Sequence, residues 1–171
     1  MNAEEIIQKF NEKGYDMTLQ EIQAGVKNKI MRRSLWVTVE REKLKNIVEY
    51  LIEIADEFPH FCVMSASDLD DEIEVNYHFT IGYGKKLEEI PITVKLRAPK
   101  DDLNVDSITD LIPAAVFSER EIREMMGVEF TGLADTRHLF LTTDFPEGVY
   151  PWRRDKTGPD KTNKLYEGWK P

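Results

Sequence analysis

The stretch SEREIREMMG, residues 118 to 127, places five charged side chains among ten residues, between apolar flanks. Glutamates this dense could act as general acids and bases, bind a metal, or form a salt-bridged helix surface. As a catalytic pair, Glu121 and Glu124 would share one helix face, but Arg120 and Arg123 beside them would lower their pKa values. A general acid needs the opposite shift, so the pattern favours a charged docking surface over catalysis.

The same stretch carries the local signals of a short helix. Ser118 is a favourable N-cap, and Glu121, three residues later, would complete a capping box. Phe117 and Ile122 have the spacing of a hydrophobic staple. Gly127 is placed to end the helix in the left-handed conformation. These signals predict a helix that begins at Ser118 and ends at Gly127.

Four charged residues of this helix could pair with one another. Glu119 and Arg123 lie four residues apart in the favourable order, whereas Arg120 and Glu124 lie four apart in the weaker order. Each such pair contributes only ~0.2–0.5 kcal/mol. A contribution to helix stability this small does not explain why the helix carries so many charged residues.

Residue types that bind metals and nucleotides are sparse. The chain has one cysteine, Cys62, and three isolated histidines, so it cannot house an iron–sulfur cluster alone. Cys62 lies in an apolar strand context, which predicts an inert core thiol. GYGKK at 82–86 lacks the spacing of a phosphate-binding loop and predicts a hairpin turn. We expect no cofactor or metal bound by this chain.

Composition limits the class of protein. A length of 171 residues suits one domain, and a net charge of −9 disfavours binding to nucleic acid or anionic lipid. A single cysteine fits a reducing, cytosolic setting. The first residues lack the basic region of a signal peptide, and no apolar run of about 18 residues could span a membrane. Abundant Lys and Glu with only three glutamines are typical of thermophile proteins.

Periodicity predicts an α+β fold. Residues 2–13 and 44–58 have helical spacing of apolar side chains, whereas residues 34–40 alternate like a strand. Three further alternating segments follow after Pro59 and are joined by short turns. We therefore expect an antiparallel four-stranded sheet with helices packed on one face, plus an extended C-terminal tail. Residues 18–26 are ambiguous.

The chain changes character near residue 130, which predicts an α+β domain over residues 1–130 and an extended, partner-wrapping tail over residues 131–171. The tail is rich in Gly and Pro and cannot build a core. Its aromatic residues, however, are too many for a flexible linker. We interpret the tail as a segment that becomes ordered on a partner, and the alternative is that it wraps its own domain.

Residues 107 to 155 carry a recognisable pattern. The matching positions are Glu119, Arg120, Glu121, Gly127, Val128, Phe130, Gly132, Asp135 and Arg137, followed by Pro151, Arg153, Arg154 and Asp155. With this pattern the chain resembles the thirty-kilodalton subunit family of respiratory NADH dehydrogenase (complex I), which includes related subunits of membrane-bound nickel–iron hydrogenases. Leu133-Ala134 stands where that family usually has His-Pro, and Trp152 where it has Leu. These differences indicate a divergent branch, such as the energy-converting hydrogenases or a sulfur-reducing complex.

The resemblance implies a non-catalytic structural subunit in the peripheral arm of a membrane oxidoreductase, most specifically a ferredoxin-dependent, hydrogen-evolving, ion-pumping nickel–iron hydrogenase. Such a subunit binds no cofactor. Its partners are the large catalytic subunit and the small iron–sulfur subunit, and the nickel–iron centre and the iron–sulfur clusters lie in other subunits. It sits on the cytoplasmic side of the cell membrane and is held there through these partners.

The resemblance also assigns the charged helix and the tail to the partner interface. The residues expected in that interface are Glu119, Arg120, Glu121, Arg123, Glu124, Phe130, Asp135, Arg137, Tyr150, Trp152, Arg153, Arg154 and Asp155. Arg153 and Arg154 would form forked hydrogen bonds to partner carboxylates or carbonyls. The alternatives are the equivalent subunit of a NADH:quinone oxidoreductase or a sulfur-reducing relative, an assembly chaperone, and a freestanding enzyme that uses these carboxylates.

Overall fold

The computed structural model describes residues 1–27, 29–85 and 88–159. Within these residues there are three α-helices and seven strands. In chain order they are α1 (Ala3–Glu12), β1 (Met17–Ala24), β2 (Ile30–Thr38), α2 (Leu44–Ile54), β3 (His60–Leu69), β4 (Glu72–Ile81), β5 (Ile90–Pro99), β6 (Asn104–Asp106), α3 (Val116–Met126) and β7 (Glu129–Thr131).

The main sheet has five strands in the order β1-β2-β5-β4-β3. The expected antiparallel meander of β3, β4 and β5 is confirmed, but β5 also pairs with β2 in parallel. The α+β class is therefore confirmed, whereas the antiparallel four-stranded sheet is wrong. Residues 18–26 were ambiguous because few of them are apolar, and most of them form β1. Periodicity identifies strands but does not say which strands become neighbours.

One face of the sheet carries the core. Inward side chains of β4, such as Val75, Tyr77 and Phe79, join a single apolar cluster with buried residues of all three helices. Phe10 of α1 and Leu51 of α2 are fully buried in it. The amphipathic patterns of the helices thus place them on this side of the sheet.

The opposite face, called the outer face here, is polar and partly exposed to solvent. His78 lies between the hydroxyls of Ser65 and Thr93, at 2.9 Å and 3.0 Å, and burial lowers the pKa of its imidazole. Trp36 packs edge-on against His78 at 6.5 Å between ring centroids. Cys62 is exposed, so the expectation of a core thiol is wrong. A register shift between Phe61 and Val63 takes this stretch out of regular alternation.

Beyond the main sheet, β6 and β7 pair with each other in parallel. In the sequence, β6 precedes α3 and β7 follows it. Residues 132–158 then run in turns and bends with no further strand or helix. Residues 160–171 of the predicted tail lie outside the described residues. Among the described helices, none is both long enough and apolar enough to cross a bilayer.

Tyr77 offers a test of this core. Its side chain is fully buried, and its hydroxyl has no hydrogen-bond partner among the described residues. Because an unpaired buried hydroxyl is costly, we expect Tyr77→Phe to raise the free energy of unfolding by about 1 kcal/mol. The matched control is Tyr50→Phe, since the Tyr50 hydroxyl donates to the Lys9 carbonyl at 2.9 Å. In urea denaturation, Tyr50→Phe should lower the free energy of unfolding by a similar amount. Destabilisation by Tyr77→Phe would show that the hydroxyl is bonded.

Candidate functional site: the charged face of helix α3

Helix α3 begins two residues earlier than expected. A 3-10 turn at Pro113–Ala115 leads directly into Val116, and the cap residue Ala115 makes no side-chain hydrogen bond. The capping box of Ser118 and Glu121 is therefore wrong, because both residues already lie inside the helix. Phe117 is exposed and forms no staple. A proline at the start of a turn supplies the helical φ that the cap was expected to provide.

Glu119 points into the protein. Its side chain is 0% exposed, and its carboxylate accepts hydrogen bonds from the Ser107 hydroxyl at 2.7 Å and the Ile108 amide at 2.8 Å. Burial raises the pKa of this carboxyl from 4.5 to about 6, although both hydrogen bonds oppose the shift. The predicted pair with Arg123 is absent because Glu119 fixes the turn after β6 instead.

Glu124 also points inward and holds the segment that follows β7. It is 5% exposed and accepts from the amides of Leu139 and Phe140, each at 2.8 Å. The imidazole Nδ1 of His138 lies 3.2 Å from the same carboxylate. A buried carboxylate is costly without donors. Residues 138–140 therefore have to stay where their donors reach Glu124.

Arg120 supplies the complementary half of this contact. Its guanidinium donates to the carbonyls of Arg137 and His138 at 2.9 Å and 3.0 Å, and it lies 3.2 Å from the Asp135 carboxylate. Arg137 closes the turn with a forked bond to Asp135. Hydrogen bonds from Arg137 hold the pKa of Asp135 well below its usual range.

Arg123 extends the same contact towards β7. Its guanidinium donates to the Glu129 carboxylate at 3.0 Å and to the Thr136 carbonyl at 3.2 Å. Arg120, Arg123 and Glu124 together hold residues 129–140 of their own chain, and this set of contacts is called the α3 clamp here.

The C-terminal end of α3 receives a second part of the tail. The predicted end at Gly127 is confirmed, with φ 72° and its amide bonded to the Arg123 carbonyl. The Trp152 amide and the Arg153 guanidinium donate to the last carbonyls of α3, those of Met125 and Met126. Orphan carbonyls of a helix end are thereby satisfied by the tail.

Gly127 is also required by close packing. A Cβ atom at this position would lie 2.5 Å from the ring of Tyr150. Arg153 stacks over that same ring at 4.3 Å from its centroid. The glycine thus serves the turn and the approach of the tail at once.

Lys100 joins the tail to the sheet. Its ammonium lies 2.6 Å from Asp68 of β3 and 2.8 Å from Asp155 of the tail. The Arg154 amide donates to the same Asp68 carboxylate at 2.9 Å. Burial raises the pKa of Asp155, but bonds from Lys100 and Thr157 outweigh it and leave the pKa lowered.

The expected interface residues fall into three groups: buried, exposed and half-buried. The carboxylates of Glu119 and Glu124 are enclosed by this chain, and Phe130 is buried in β7. The exposed members are Arg137, Trp152 and Arg154; the remaining members are half-buried: Arg120, Glu121, Arg123, Asp135, Tyr150, Arg153 and Asp155. That these residues meet a partner stays a prediction.

Residues 133–140 and 150–158 make the contacts with their own chain described above, and that the tail wraps a partner stays a prediction. Sequence reasoning missed three residues that bind the predicted ones. Ser107 donates to Glu119, Lys100 pairs with Asp155, and Asp68 accepts from the Arg154 amide. The run Ser107-Ile108-Thr109 is typical of a hydroxyl turn and was the only available signal for the first of them. Within the described ranges, no group of three or more His, Cys, Asp and Glu side chains could hold a metal ion.

Glu119 predicts a pH dependence. Its folded pKa of about 6 lies above the ordinary 4.5, so the folded state binds more protons and the free energy of unfolding falls as pH rises between these values. We expect the wild type to lose ~2 kcal/mol relative to Glu119→Gln between pH ~4 and ~7. The glutamine oxygen can still accept from the Ile108 amide, and its NH2 group can donate to the Ser107 hydroxyl, so both contacts can persist without a charge. Stability curves that stay parallel for the wild type and Glu119→Gln over this pH range would contradict this origin.

The α3 clamp predicts unequal effects for two neighbouring glutamates. Glu124→Ala leaves the amides of Leu139 and Phe140 without their acceptor, so we expect a loss of about 2–3 kcal/mol in the free energy of unfolding. Glu121→Ala is the matched control, because Glu121 is half-buried and has no ion pair with another described residue. It should change stability by under ~0.5 kcal/mol. Equal effects in urea denaturation would refute the clamp.

The chain is similar in sequence and fold to subunits of membrane-bound redox complexes. The chain is 34% identical over 131 residues to the membrane-bound hydrogenase subunit beta of Pyrococcus furiosus, covering 77% of this chain and 75% of that protein. It is 34% identical over 122 residues to hydrogenase-4 component G of Escherichia coli, covering 70% of this chain but only 21% of that protein. A chain in the solved structure of the membrane-bound sulfane sulfur reductase, an archaeal respiratory membrane complex, has a TM-score of 0.70 and 25% identity, covering 96% of this chain and 88% of that one.

Residues 37–162 match the family described as respiratory-chain NADH dehydrogenase, 30 Kd subunit. The match includes the stretch that carried the resemblance, together with the end of β2 and all of β3, β4 and β5. Hydrogenase relatives agree with the divergent branch that the residues after Gly132 indicated. The chain belongs to the family of the 30 Kd subunit of respiratory-chain NADH dehydrogenase.

Proposed function

We propose that the chain is a non-catalytic structural subunit in the peripheral arm of a complex-I-like, membrane-bound oxidoreductase, where it docks on the large catalytic subunit and stabilises it. The observation that supports this proposal is that the charged residues of α3 bind other segments of the same chain. Glu119 and Glu124 accept bonds from backbone amides and side chains of their own chain, and Arg120 donates to its carbonyls. These groups build a rigid surface.

The relatives support a role shared by different complexes. One similar protein is named for a hydrogenase and another belongs to a sulfane sulfur reductase. A domain common to both suits a task that does not depend on the terminal electron acceptor. In hydrogenase-4 component G the similar region is 21% of a longer polypeptide, which favours a domain that works beside another one.

Within this class we propose a ferredoxin-dependent, hydrogen-evolving, ion-pumping nickel–iron hydrogenase. The support is 34% identity over most of the chain to a membrane-bound hydrogenase subunit. The nickel–iron centre and the iron–sulfur clusters would lie in the large and small subunits, and the chain would be held on the cytoplasmic side of the membrane through them. The TM-score of 0.70 to a sulfane sulfur reductase chain makes a sulfur-reducing complex the second candidate.

The exposed side chains of the tail are the proposed contacts with the large subunit. Trp152 and Arg154 flank Arg153, whose guanidinium donates to the Met126 carbonyl at the end of α3, so this chain holds the backbone that would present them to a partner. A rigid aromatic side chain and a guanidinium are the types enriched in interface hot spots. A preordered tail also avoids the entropy cost of folding on binding.

The proposal is tested by purifying the membrane complex through a tag on its large subunit. We expect one copy of this chain per large subunit, and at least about tenfold weaker retention for Trp152→Ser with Arg154→Glu, since these would be hot-spot contacts. The control Lys43→Glu changes an exposed charge outside α3 and outside the tail, and it should retain binding. A chain present only in assembly intermediates would instead identify a chaperone and refute the proposal.

A further inference from the structure

The hairpin of β1 and β2 extends beyond the body of the sheet. The two strands pair from Met17 with Val37 to Ala24 with Ile30. In contrast, β2 pairs with β5 only from Leu35 to Thr38. Residues 20–34, called the β1–β2 arm here, therefore project as a two-stranded ribbon, described throughout except for Asn28. An isolated two-stranded hairpin is marginally stable in water.

The arm exposes large apolar side chains. Val26 is 99% exposed, Ile22 63% and Met31 53%, and Ile30 is also exposed. Strand alternation places Ile22 and Ile30 on the outer face of the sheet and Met31 on the opposite side. Apolar side chains clustered on a projecting ribbon are typical of an interaction site.

The arm is also basic in an acidic protein. Residues 20–34 contain four basic residues and one acidic residue, whereas the whole chain has a net charge of −9. Arg33 is occupied at the base of the arm, where it bonds to Glu4 of α1 and Glu21 of β1 at 2.8 Å and 2.9 Å. Lys27, Lys29 and Arg32 form no ion pair with another described residue. The outer part of the arm thus presents cations beside apolar side chains.

We propose that the β1–β2 arm is a docking site for an acidic surface of a partner polypeptide, one that presents apolar side chains flanked by carboxylates. The inference rests on the proposed function, because it requires a second subunit. Charge complementarity selects the chemistry of that partner, since opposite charges steer association and fix register. It also gives the chain a second contact, away from the tail and α3.

An anionic membrane surface fits the arm less well. Lys27 and Lys29 stand at the tip, so insertion tip-first would bury two charges in lipid. Sideways binding needs apolar side chains on one face, but Met31 and Ile30 point to opposite faces. Residues 20–34 also lack the Trp and Tyr that favour the membrane interface. A cleft in a protein accommodates a ribbon that is apolar on both faces.

The first test is photo-crosslinking in the assembled complex. A photoreactive amino acid replaces Val26 or Ile30, and a control carries it at Gln8, an exposed position on α1. The expected result is a cross-link from the arm, absent from the control, to a segment of a partner subunit rich in Asp and Glu. Cross-links to lipid, to a second copy of this chain or to its own residues 160–171 would overturn the proposal, as would none above the control.

Charge reversal supplies the second test. Lys27→Glu with Lys29→Glu should weaken retention in the complex by about tenfold or more, with a larger effect at low salt. The matched control is Lys9→Glu with Lys13→Glu, which makes the same charge change at exposed positions in α1 and just after it. It should change retention less than about twofold. Thermal melting of the isolated variants checks that all of them fold. Equal retention of the two variants would overturn the proposal.

The outcome for the arm is separable from that for the proposed function. A chain found at one copy per complex, with an arm that neither cross-links nor responds to charge reversal, refutes the arm alone. A chain that is absent from the complex refutes both proposals. Changing the cross-linked partner carboxylates to lysine should restore retention of Lys27→Glu with Lys29→Glu, which a merely unstable arm would not show.

Discussion

The structure depends on two carboxylates buried on one short helix. Glu119 and Glu124 lie on α3, and the two residues are 0% and 5% exposed. Each would be costly there without donors. Glu119 takes its donors from the turn after β6, and Glu124 takes them from residues 138–140. A helix of 11 residues thereby holds chain segments on both sides of itself.

This arrangement explains why the final part of the described chain needs no core of its own. The tail is fixed at separate places by polar contacts: at the α3 clamp, at the end of α3 and at Lys100. Each contact uses a group that the body would otherwise leave unsatisfied, such as the Met125 and Met126 carbonyls at the end of α3. Order in the tail therefore comes from hydrogen bonds and ion pairs, while the sheet and helices supply the apolar core.

Sequence reasoning located the important helix but misjudged what its charges do. Local rules correctly placed its end at Gly127, because a left-handed residue is a local requirement. They failed at its start, because Pro113 and the burial of Glu119 outweighed the capping signal at Ser118. The strands β3, β4 and β5 were evident from alternation, whereas the parallel pairing of β2 with β5 depends on contacts distant in sequence. The partners of Glu124 follow β7, and no local pattern connects them to α3.

The same contacts frame the proposed role, in which a chain that has already ordered its tail presents a fixed surface to a large subunit. The central claim is that the chain itself orders residues 131–159, before any partner binds. Amide hydrogen exchange of the isolated chain tests this most directly. The account predicts strong protection of the Leu139, Phe140 and Trp152 amides in the isolated chain. Exchange of these amides at the rate of an unfolded peptide, with protection appearing only in the assembled complex, would contradict it.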